Sequence, residues 1–118
     1  MTAVTALEKE VICKLLSGTD TSFEVLRRQF ESAVILDRRM TGVGFFTTFS
    51  LPENVETLDD QTLRLGNVVA DIPGLQSGAG FLLFVEHGKL CQLEGYTFGD
   101  EVWPDEISVF KLRSLNQS

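Results

Sequence analysis

Hydrophobic side chains recur at helical spacing in two segments near the N-terminus. Both segments begin with a capping-box pattern, in which a threonine is followed three residues later by a glutamate: Thr5 with Glu8, and Thr21 with Glu24. The apolar positions of the two predicted helices are Leu7, Val11, Leu15, Phe23, Leu26 and Phe30. The polar side of the second helix is predicted to carry Arg27, Arg28 and Gln29. Because only a few residues separate the segments, the pattern predicts a helical hairpin.

From residue 34 onwards the hydrophobic pattern changes to a period of two, which is typical of strands. Residues 34–50 alternate in this way, and Gly42 and Gly44 indicate a turn, a bulge or a close backbone approach. The segment LRLGNVVADI, residues 63–72, predicts the next strand. The segment ISVFKLRSL, residues 107–115, predicts the last strand, although the preceding Pro-Asp-Glu run could begin a helix there instead.

The segment FLLFVEHGKLCQLEGY, residues 81–96, predicts a hairpin with the two-residue turn His87-Gly88. A turn at this position places Glu86 opposite Lys89, which is a favourable cross-strand charge pair. In the same register, the face predicted to point into the core pairs Phe84 with Cys91 and Leu82 with Leu93. The reverse face is predicted to pair Val85 with Leu90, Leu83 with Gln92 and Phe81 with Glu94.

The order of these elements, two helices followed by five or six strands, predicts an α+β fold. We expect the N-terminal helical hairpin to pack on one face of a five- to six-stranded, mainly antiparallel sheet. The other face is expected to be partly open or covered by a partner. A length of 118 residues, without internal repeats or a linker, predicts one domain over residues 1–118.

The charge of the chain narrows the range of partners. Ten Lys and Arg residues against 17 Asp and Glu residues give a net charge of −7 and an isoelectric point of about 4.6. A field of this sign repels phosphate backbones and anionic lipids, so we expect neither nucleic acid nor a membrane as a partner. The same field attracts a basic protein, although acidity also serves solubility alone.

Cysteine and histidine are too few to predict a metal site. Cys13 and Cys91 are far apart and flanked by apolar residues, so we expect reduced core thiols, as in a cytoplasmic protein. His87 is the only histidine, and a zinc site needs several such ligands. The N-terminal segment lacks the basic and apolar runs of a secretory signal. We therefore expect a cytoplasmic protein with no metal and no cofactor.

The sequence contains no set of residues with the spacing of a known catalytic site. His87 lies at a predicted turn without the positioning partners that a general base needs. The glycine-rich segment GLQSGAG, residues 74–80, is followed by a strand, whereas a phosphate-binding loop is followed by a helix. We therefore expect no catalytic residue, and enzyme activity stays an open alternative. The concentrated positive charge, which either binds an anion or pairs with neighbouring acids, consists of Arg27, Arg28, Arg38 and Arg39.

The segment LEGYTFGDEVWPDEI, residues 93–107, combines aromatic and acidic side chains. Tyr96 and Phe98 share a face if the strand continues past Gly95, and Trp103 precedes a proline, which favours an extended backbone. One interpretation is a corner whose aromatic side chains close the core while the acids face water. The other is a pocket or contact surface with an aromatic floor and an acidic rim. On the second interpretation the candidate binding residues are Arg38, Arg39, Tyr96, Asp100, Glu101 and Trp103.

The segments GVGFFTTF and LEGYTFGDEVWPDEI resemble segments of small bacterial proteins that form an uncharacterised α+β family. The resemblance covers the part of the chain that is predicted to form the sheet, from about residue 42 to the C-terminus. It implies a compact bacterial domain. It brings no activity and no catalytic residue to this chain.

Two functional hypotheses follow from these observations. The first is a small, acidic, non-enzymatic cytoplasmic protein that binds a protein partner, such as an immunity-type inhibitor of a basic toxin, or that forms a homodimer. The second is a small-ligand-binding protein or an enzyme, with a cleft between Arg38 or Arg39 and the Tyr96–Trp103 corner.

Overall fold

A computed structural model describes residues 3–115 of the chain, and in it two helices precede seven strands. The helices are α1 (Ala6–Leu15) and α2 (Thr21–Ser32). The strands are β1 (Val34–Met40), β2 (Gly44–Ser50), β3 (Leu63–Leu65), β4 (Val68–Asp71), β5 (Ala79–Glu86), β6 (Lys89–Thr97) and β7 (Lys111–Ser114). The predicted α+β class, with an N-terminal helical hairpin and an antiparallel sheet, is confirmed.

All strand pairs of the sheet are antiparallel, in the spatial order β1-β2-β6-β5-β4-β7. The short β3 pairs with the far end of β5, beyond the residues that β4 uses. The segment 63–72 therefore forms two strands instead of the one predicted, because the chain leaves the ladder at Gly66 and Asn67. The two longest strands, β5 and β6, lie at the centre of the sheet and pair with each other, and β2, β3 and β4 pair with one or the other of them.

Both helices pack on the same face of the sheet. Helix α1 contacts β4 and β5, and α2 contacts β6. The predicted capping box of α1 is present, whereas the side chain of Asp20 caps α2 by accepting a hydrogen bond from the Ser22 N–H. The core between the layers includes Leu7, Val11, Ile12, Leu15, Leu16, Leu26, Phe81, Leu83, Val85 and Leu93.

The hairpin formed by β5 and β6 turns where predicted, and Glu86 pairs with Lys89. Its predicted faces are wrong beyond the turn. The register shifts at Cys91, an extra residue of β6, so that Phe84 lies opposite Gln92 and not opposite Cys91. This bulge lets β6 present Leu90 and Leu93 to the same side, although they are three residues apart. The core face therefore carries Phe81, Leu83, Val85, Leu90 and Leu93.

Two further predictions are wrong in part. The last strand begins at Lys111 instead of Ile107, and residues 101–110 follow the end of the sheet without regular structure. The cysteines are free, as expected, but they do not lie in the core: Cys13 is exposed and Cys91 is half-buried at the bulge. Flanking apolar residues did not predict burial, because Cys13 faces away from the sheet.

The sheet has one face that the helices do not cover. The shortest dimension of the molecule is 21 Å, which corresponds to two layers of secondary structure about 10 Å apart. We call this the uncovered face; Arg39, Phe46, Arg64, Phe84 and Tyr96 lie on it. Within residues 3–115, neither helix has the length and apolar character that a membrane crossing requires.

Candidate functional site

A buried ion pair joins the start of α1 to the edge strand β1. The carboxylate of Glu8, of which 2% is exposed, accepts hydrogen bonds from both Nε and Nη2 of Arg38, at 2.9 and 2.5 Å. The hydroxyl of Thr47, on β2, donates to the same carboxylate at 2.5 Å, and the backbone N–H of Thr5 donates at 2.9 Å. Four donors from three different parts of the chain, near Thr5, Arg38 and Thr47, therefore surround one carboxylate.

These contacts decide the protonation state of Glu8. Burial by itself raises the pKa of a carboxyl group, because it disfavours the charged form. Here the hydrogen bonds from Arg38, Thr47 and Thr5, together with the positive charge of Arg38, outweigh that effect and lower the pKa of Glu8 below its usual value of 4.5. Glu8 is therefore a carboxylate at neutral pH, and all of its hydrogen-bonding capacity is used.

A cavity of about 210 Å³ opens beside this ion pair. Its volume far exceeds the roughly 15 Å³ that a single water molecule needs. Apolar side chains from three separate parts of the chain form most of its wall. We call it the Glu8–Arg38 cavity; its lining residues are Thr5, Ala6, Leu7, Glu8, Arg38, Met40, Phe45, Trp103, Pro104, Asp105 and Ile107.

Three of the residues that line the Glu8–Arg38 cavity have polar groups that make no hydrogen bond within the fold of residues 3–115. Arg38 Nη2 donates to the Ala3 carbonyl as well as to Glu8, but Nη1 makes no hydrogen bond within residues 3–115 and is not sealed from solvent. The first backbone N–H groups of α1, those of Ala6 and Leu7, have no acceptor within the helix. All of these donors carry full or partial positive charge.

Trp103 forms the apolar floor of the cavity. Its indole ring packs edge-on against Phe45, with the ring centroids 5.2 Å apart, and 8% of the residue is exposed. Its backbone N–H donates to the carbonyl of Gly42, in the turn between β1 and β2. The irregular segment after β6 is thereby fixed beside the edge of the sheet. Both interpretations of residues 93–107 apply to Trp103, because it closes the core and also lines a cavity.

Of the six candidate binding residues, the structure brings only Arg38 and Trp103 to the same cavity. Arg39 follows Arg38 on β1 and therefore points to the uncovered face, where its guanidinium lies 5.4 Å from the centroid of the Phe46 ring. Tyr96 also lies on the uncovered face. Its ring packs edge-on against Phe98 at a centroid distance of 5.6 Å. Alternation along a strand separates Arg39 from Arg38, although they are neighbours in sequence.

The two acidic candidates, Asp100 and Glu101, lie shortly after the end of β6 and do not line the Glu8–Arg38 cavity. Asp100 is exposed. The carboxylate of Glu101 accepts hydrogen bonds from the backbone N–H groups of Gln76 and Ser77, at 2.9 and 3.1 Å. The backbone of the glycine-rich loop, residues 74–80, therefore binds the Glu101 side chain. This contact connects the loop to the irregular segment that carries Trp103.

Other titratable groups lie away from the cavity. His87 is exposed at the hairpin turn, as predicted, and its Nδ1 lies 2.8 Å from a carboxylate oxygen of Asp60. This hydrogen bond raises the pKa of His87 above 6.5. Partial burial, with a smaller contribution from Glu86, raises the pKa of the Cys91 thiol, so Cys91 is not an activated nucleophile.

Sequence reasoning missed Glu8 as a member of the site. The capping box already accounted for a glutamate at position 8. Nothing in the sequence indicated that its side chain meets Arg38, which lies 30 residues later on a strand. Met40, Phe45 and Ile107 were assigned to strand faces without a cavity between them. One sequence feature could have pointed to the site. Arg38 is a charged residue at an alternating position of the strand that is otherwise occupied by Val34, Leu36 and Met40.

No protein-family model, curated protein or solved structure matches this chain. The function of the site therefore has to be argued from its own geometry. That geometry consists of a cavity with mainly apolar walls, the Glu8 carboxylate with four hydrogen-bond donors, and Arg38, whose Nη1 makes no hydrogen bond to any of residues 3–115.

Proposed function

We propose that this protein binds a small molecule with an apolar body and one anionic group in the Glu8–Arg38 cavity. The observation that carries the proposal is the combination of Arg38 Nη1, which has no partner within residues 3–115, with the apolar wall formed by Phe45 and Trp103. Small-ligand sites commonly have such mainly apolar walls and a few polar groups that orient the ligand.

The state of Glu8 favours binding over proton transfer. A general base must be free to accept a proton near neutral pH. Glu8 already accepts four hydrogen bonds, and its lowered pKa makes it a weak base. We therefore propose a non-enzymatic role in which Glu8 holds Arg38 in position and Arg38 meets the ligand.

The sign of the ligand charge follows from the donors around the cavity. Glu8 neutralises Arg38 in part, but the start of α1 adds the partial positive charge of its free N–H groups. A carboxylate suits both kinds of donor, because guanidinium groups and helix N-termini bind carboxylate oxygens well. Asp105, which also lines the cavity, is exposed, so its negative charge is screened by solvent more than the charges of Glu8 and Arg38.

The binding experiment can use the protein's own fluorescence. Trp103 is the only tryptophan of the chain, and it lines the cavity. We expect hexanoate to change its emission in a saturable way, whereas hexylamine at the same concentration leaves the emission unchanged. Equal responses to both compounds, or none to hexanoate and longer carboxylates, would contradict the proposal.

A pair of variants separates ligand binding from stability. Arg38→Lys keeps the charge beside Glu8 but removes the planar group with its spare nitrogen, and we expect it to weaken hexanoate binding about tenfold. The matched control is Arg39→Lys, the same change one residue later on the uncovered face. It should bind like the unmodified chain, and thermal unfolding of both variants shows how much stability each has lost.

A second candidate function rests on the uncovered face. Two arginines lie over aromatic rings there, Arg39 over Phe46 and Arg64 over Phe84, at 5.4 and 5.6 Å from the ring centroids. Aromatic residues and arginine are enriched in protein–protein interfaces. Together with the net charge of −7, this supports a cytoplasmic interaction protein, including an immunity-type inhibitor of a basic toxin.

The interaction hypothesis is tested by comparing the unmodified chain with Phe84→Ser as bait in lysates of the source organism. A true partner binds the first and not the second, and binds more weakly at high ionic strength if charge attracts it. A partner that binds both baits equally uses another surface. The control Val109→Ser changes an exposed apolar residue outside the strands and should retain the partner.

A further inference from the structure

The free edge of β1 has unused backbone hydrogen-bonding groups. The Thr41 N–H donates to the Gly44 carbonyl, at the turn between β1 and β2. In an antiparallel pair such bonded positions alternate, so the backbone groups of Asp37 and Arg39 also point towards β2. Those of Arg38 and Met40 point outwards, and no backbone or side-chain group within residues 3–115 bonds to them.

The same strand is unusually apolar for an exposed edge. Six large apolar side chains within residues 3–115 are more than half exposed, and three of them are on β1: Val34 at 61%, Leu36 at 70% and Met40 at 56%. Sheet edges are normally protected by charge, by bulges or by cover, because an open edge pairs with other strands. The bulge of β1 lies between Ile35 and Asp37 and leaves Asp37–Met40 in regular register.

We propose that a second copy of this chain pairs with β1 in antiparallel orientation, about a two-fold axis at Arg38. This register places Asp37 of each copy opposite Arg39 of the other, and Leu36 opposite Met40. Two opposite-charge pairs and two apolar pairs form at once, which is the self-complementarity that a two-fold contact requires. Arg38 meets its own copy, but each guanidinium is already bound to Glu8.

Neighbouring registers are less favourable. An axis at Asp37 places the two Asp37 carboxylates opposite each other and leaves Arg39 opposite Ile35. An axis at Arg39 places two unpaired guanidinium groups together. Axes midway between residues are excluded, because they pair side chains that point to opposite faces. Charge therefore selects the axis at Arg38.

The dimer would also reach the Glu8–Arg38 cavity. Met40 lines that cavity, and the proposed register puts Leu36 of the second copy directly beside Met40. Facing residues on adjacent strands have Cβ atoms about 5 Å apart. A second copy thus adds an apolar side chain at the rim of each cavity. The proposed dimer rests only on the backbone groups and side chains of the β1 edge, and it does not depend on what the cavity binds.

The oligomeric state gives the first test. Sedimentation of the purified chain over a range of concentrations should show a monomer–dimer equilibrium. Amide exchange measured by NMR should show the N–H groups of Arg38 and Met40 becoming protected as the dimer forms, because they point to the free edge. A monomer at all concentrations overturns the proposal, and so does a dimer in which these two amides exchange as fast as in the monomer.

A charge exchange tests the register. Arg39→Asp turns both attractive pairs into repulsive ones and should weaken dimerisation about tenfold or more. The double variant Asp37→Arg, Arg39→Asp restores opposite charges with the same composition and should recover the dimer. Both positions are exposed, so the monomer should stay folded, which circular dichroism checks. Equal dimerisation of the single and double variants would overturn the axis at Arg38.

Discussion

Glu8 shows how one side chain serves the helix, the sheet and the cavity together. Its capping role belongs to the first turn of α1, and the pair with Arg38 ties that turn to the edge strand β1. Removing one partner of a buried ion pair lowers the free energy of unfolding by more than the intact pair contributes, because the remaining charge stays buried without its partner. Glu8 and Arg38 are therefore expected to be sensitive to substitution whether or not a ligand binds.

The pH dependence of stability should reveal the role of Glu8. Its folded-state pKa is lower than its unfolded-state value, so its contribution is fully present above pH 4.5 and is lost as the pH falls through the folded-state pKa. We expect Glu8→Gln to lower the free energy of unfolding by about 3 kcal/mol at neutral pH, and by less in acid. Urea unfolding at several pH values measures this.

The control for this measurement is Glu10→Gln, the same change at an exposed position of α1. It should change the free energy of unfolding by less than about 0.5 kcal/mol at any pH. If the difference between Glu8→Gln and the unmodified chain stayed constant down to acid pH, the carboxylate of Glu8 would not have the lowered pKa that we describe.

At the scale of elements, Gln29 connects three segments that are far apart in sequence. Its side-chain amide donates to the carbonyls of Glu56 and Gly88, each at 2.9 Å, and accepts from the Leu90 N–H at 2.8 Å. Helix α2, the loop before β3 and the hairpin of β5 and β6 are thus joined by one fully buried residue. Helical periodicity placed Gln29 on the polar side of α2, and this prediction is wrong.

Replacing Gln29 should be costly for this reason. Gln29→Leu keeps a similar size but leaves the Leu90 N–H and the Glu56 carbonyl without their Gln29 partner, whereas the Gly88 carbonyl keeps the hydrogen bond from the Leu58 N–H. We expect a loss of about 3 kcal/mol in the free energy of unfolding.

Arg28→Leu, next to Gln29 on the exposed side, removes only a surface pair with Glu56 and should lower the free energy of unfolding much less. Thermal or urea unfolding distinguishes the two variants. Equal losses of stability would contradict the structural role that we assign to the Gln29 hydrogen bonds.

The β5–β6 hairpin gives a second prediction at this scale. Phe81 points into the core and is fully buried, Phe84 lies half-buried on the uncovered face, and the bulge at Cys91 keeps Leu90 and Leu93 on the same side as Phe81. Phe81→Ala should lower the free energy of unfolding by about 3–5 kcal/mol, as for other core aromatics. Phe84→Ala should cost less than half as much. The opposite order in unfolding experiments would show that Phe84, and not Phe81, lies on the core face, as the simple alternation predicts.

At the scale of the whole molecule, the sheet is assembled from parts of the chain that are distant in sequence. The central pairing of β2 with β6 brings Phe45 beside Gly95, and the last strand, β7, returns to pair with β4. Such long-range pairing requires large loops to close before contacts form. Folding is therefore expected to be slow for a chain of this length.

A refolding experiment can measure this directly. We expect the main phase after dilution from urea to have a time constant between about 1 ms and 1 s, as for domains dominated by non-local strand pairing. Trp103 is a suitable probe, because it packs against Phe45 only when β2 and the segment after β6 have come together. Complete recovery of its native emission within microseconds would show that local structure, and not assembly of the sheet, sets the rate.

Features decided within a few neighbouring residues could be predicted from the sequence. The capping box of α1, the turn at His87-Gly88 and the order of helices and strands all follow from local backbone preferences and from the period of the hydrophobic pattern. Arg38 and Trp103 were identified as candidates by residue type alone. The sequence did not show that these two line one cavity, or that Arg39 lies on the other side of the sheet.

The sequence by itself therefore determined the fold class and the local ends of its elements, because those depend on short-range sterics and hydrogen bonds. The tertiary structure alone decided which face of β5 and β6 is buried, where the Glu8 carboxylate finds its donors, and that a cavity remains beside Arg38. Each of these depends on which distant residues meet. One extra residue at Cys91 changes which residues of β6 share a side with the buried residues of β5, and packing of the helices on that side decides that it is the core face.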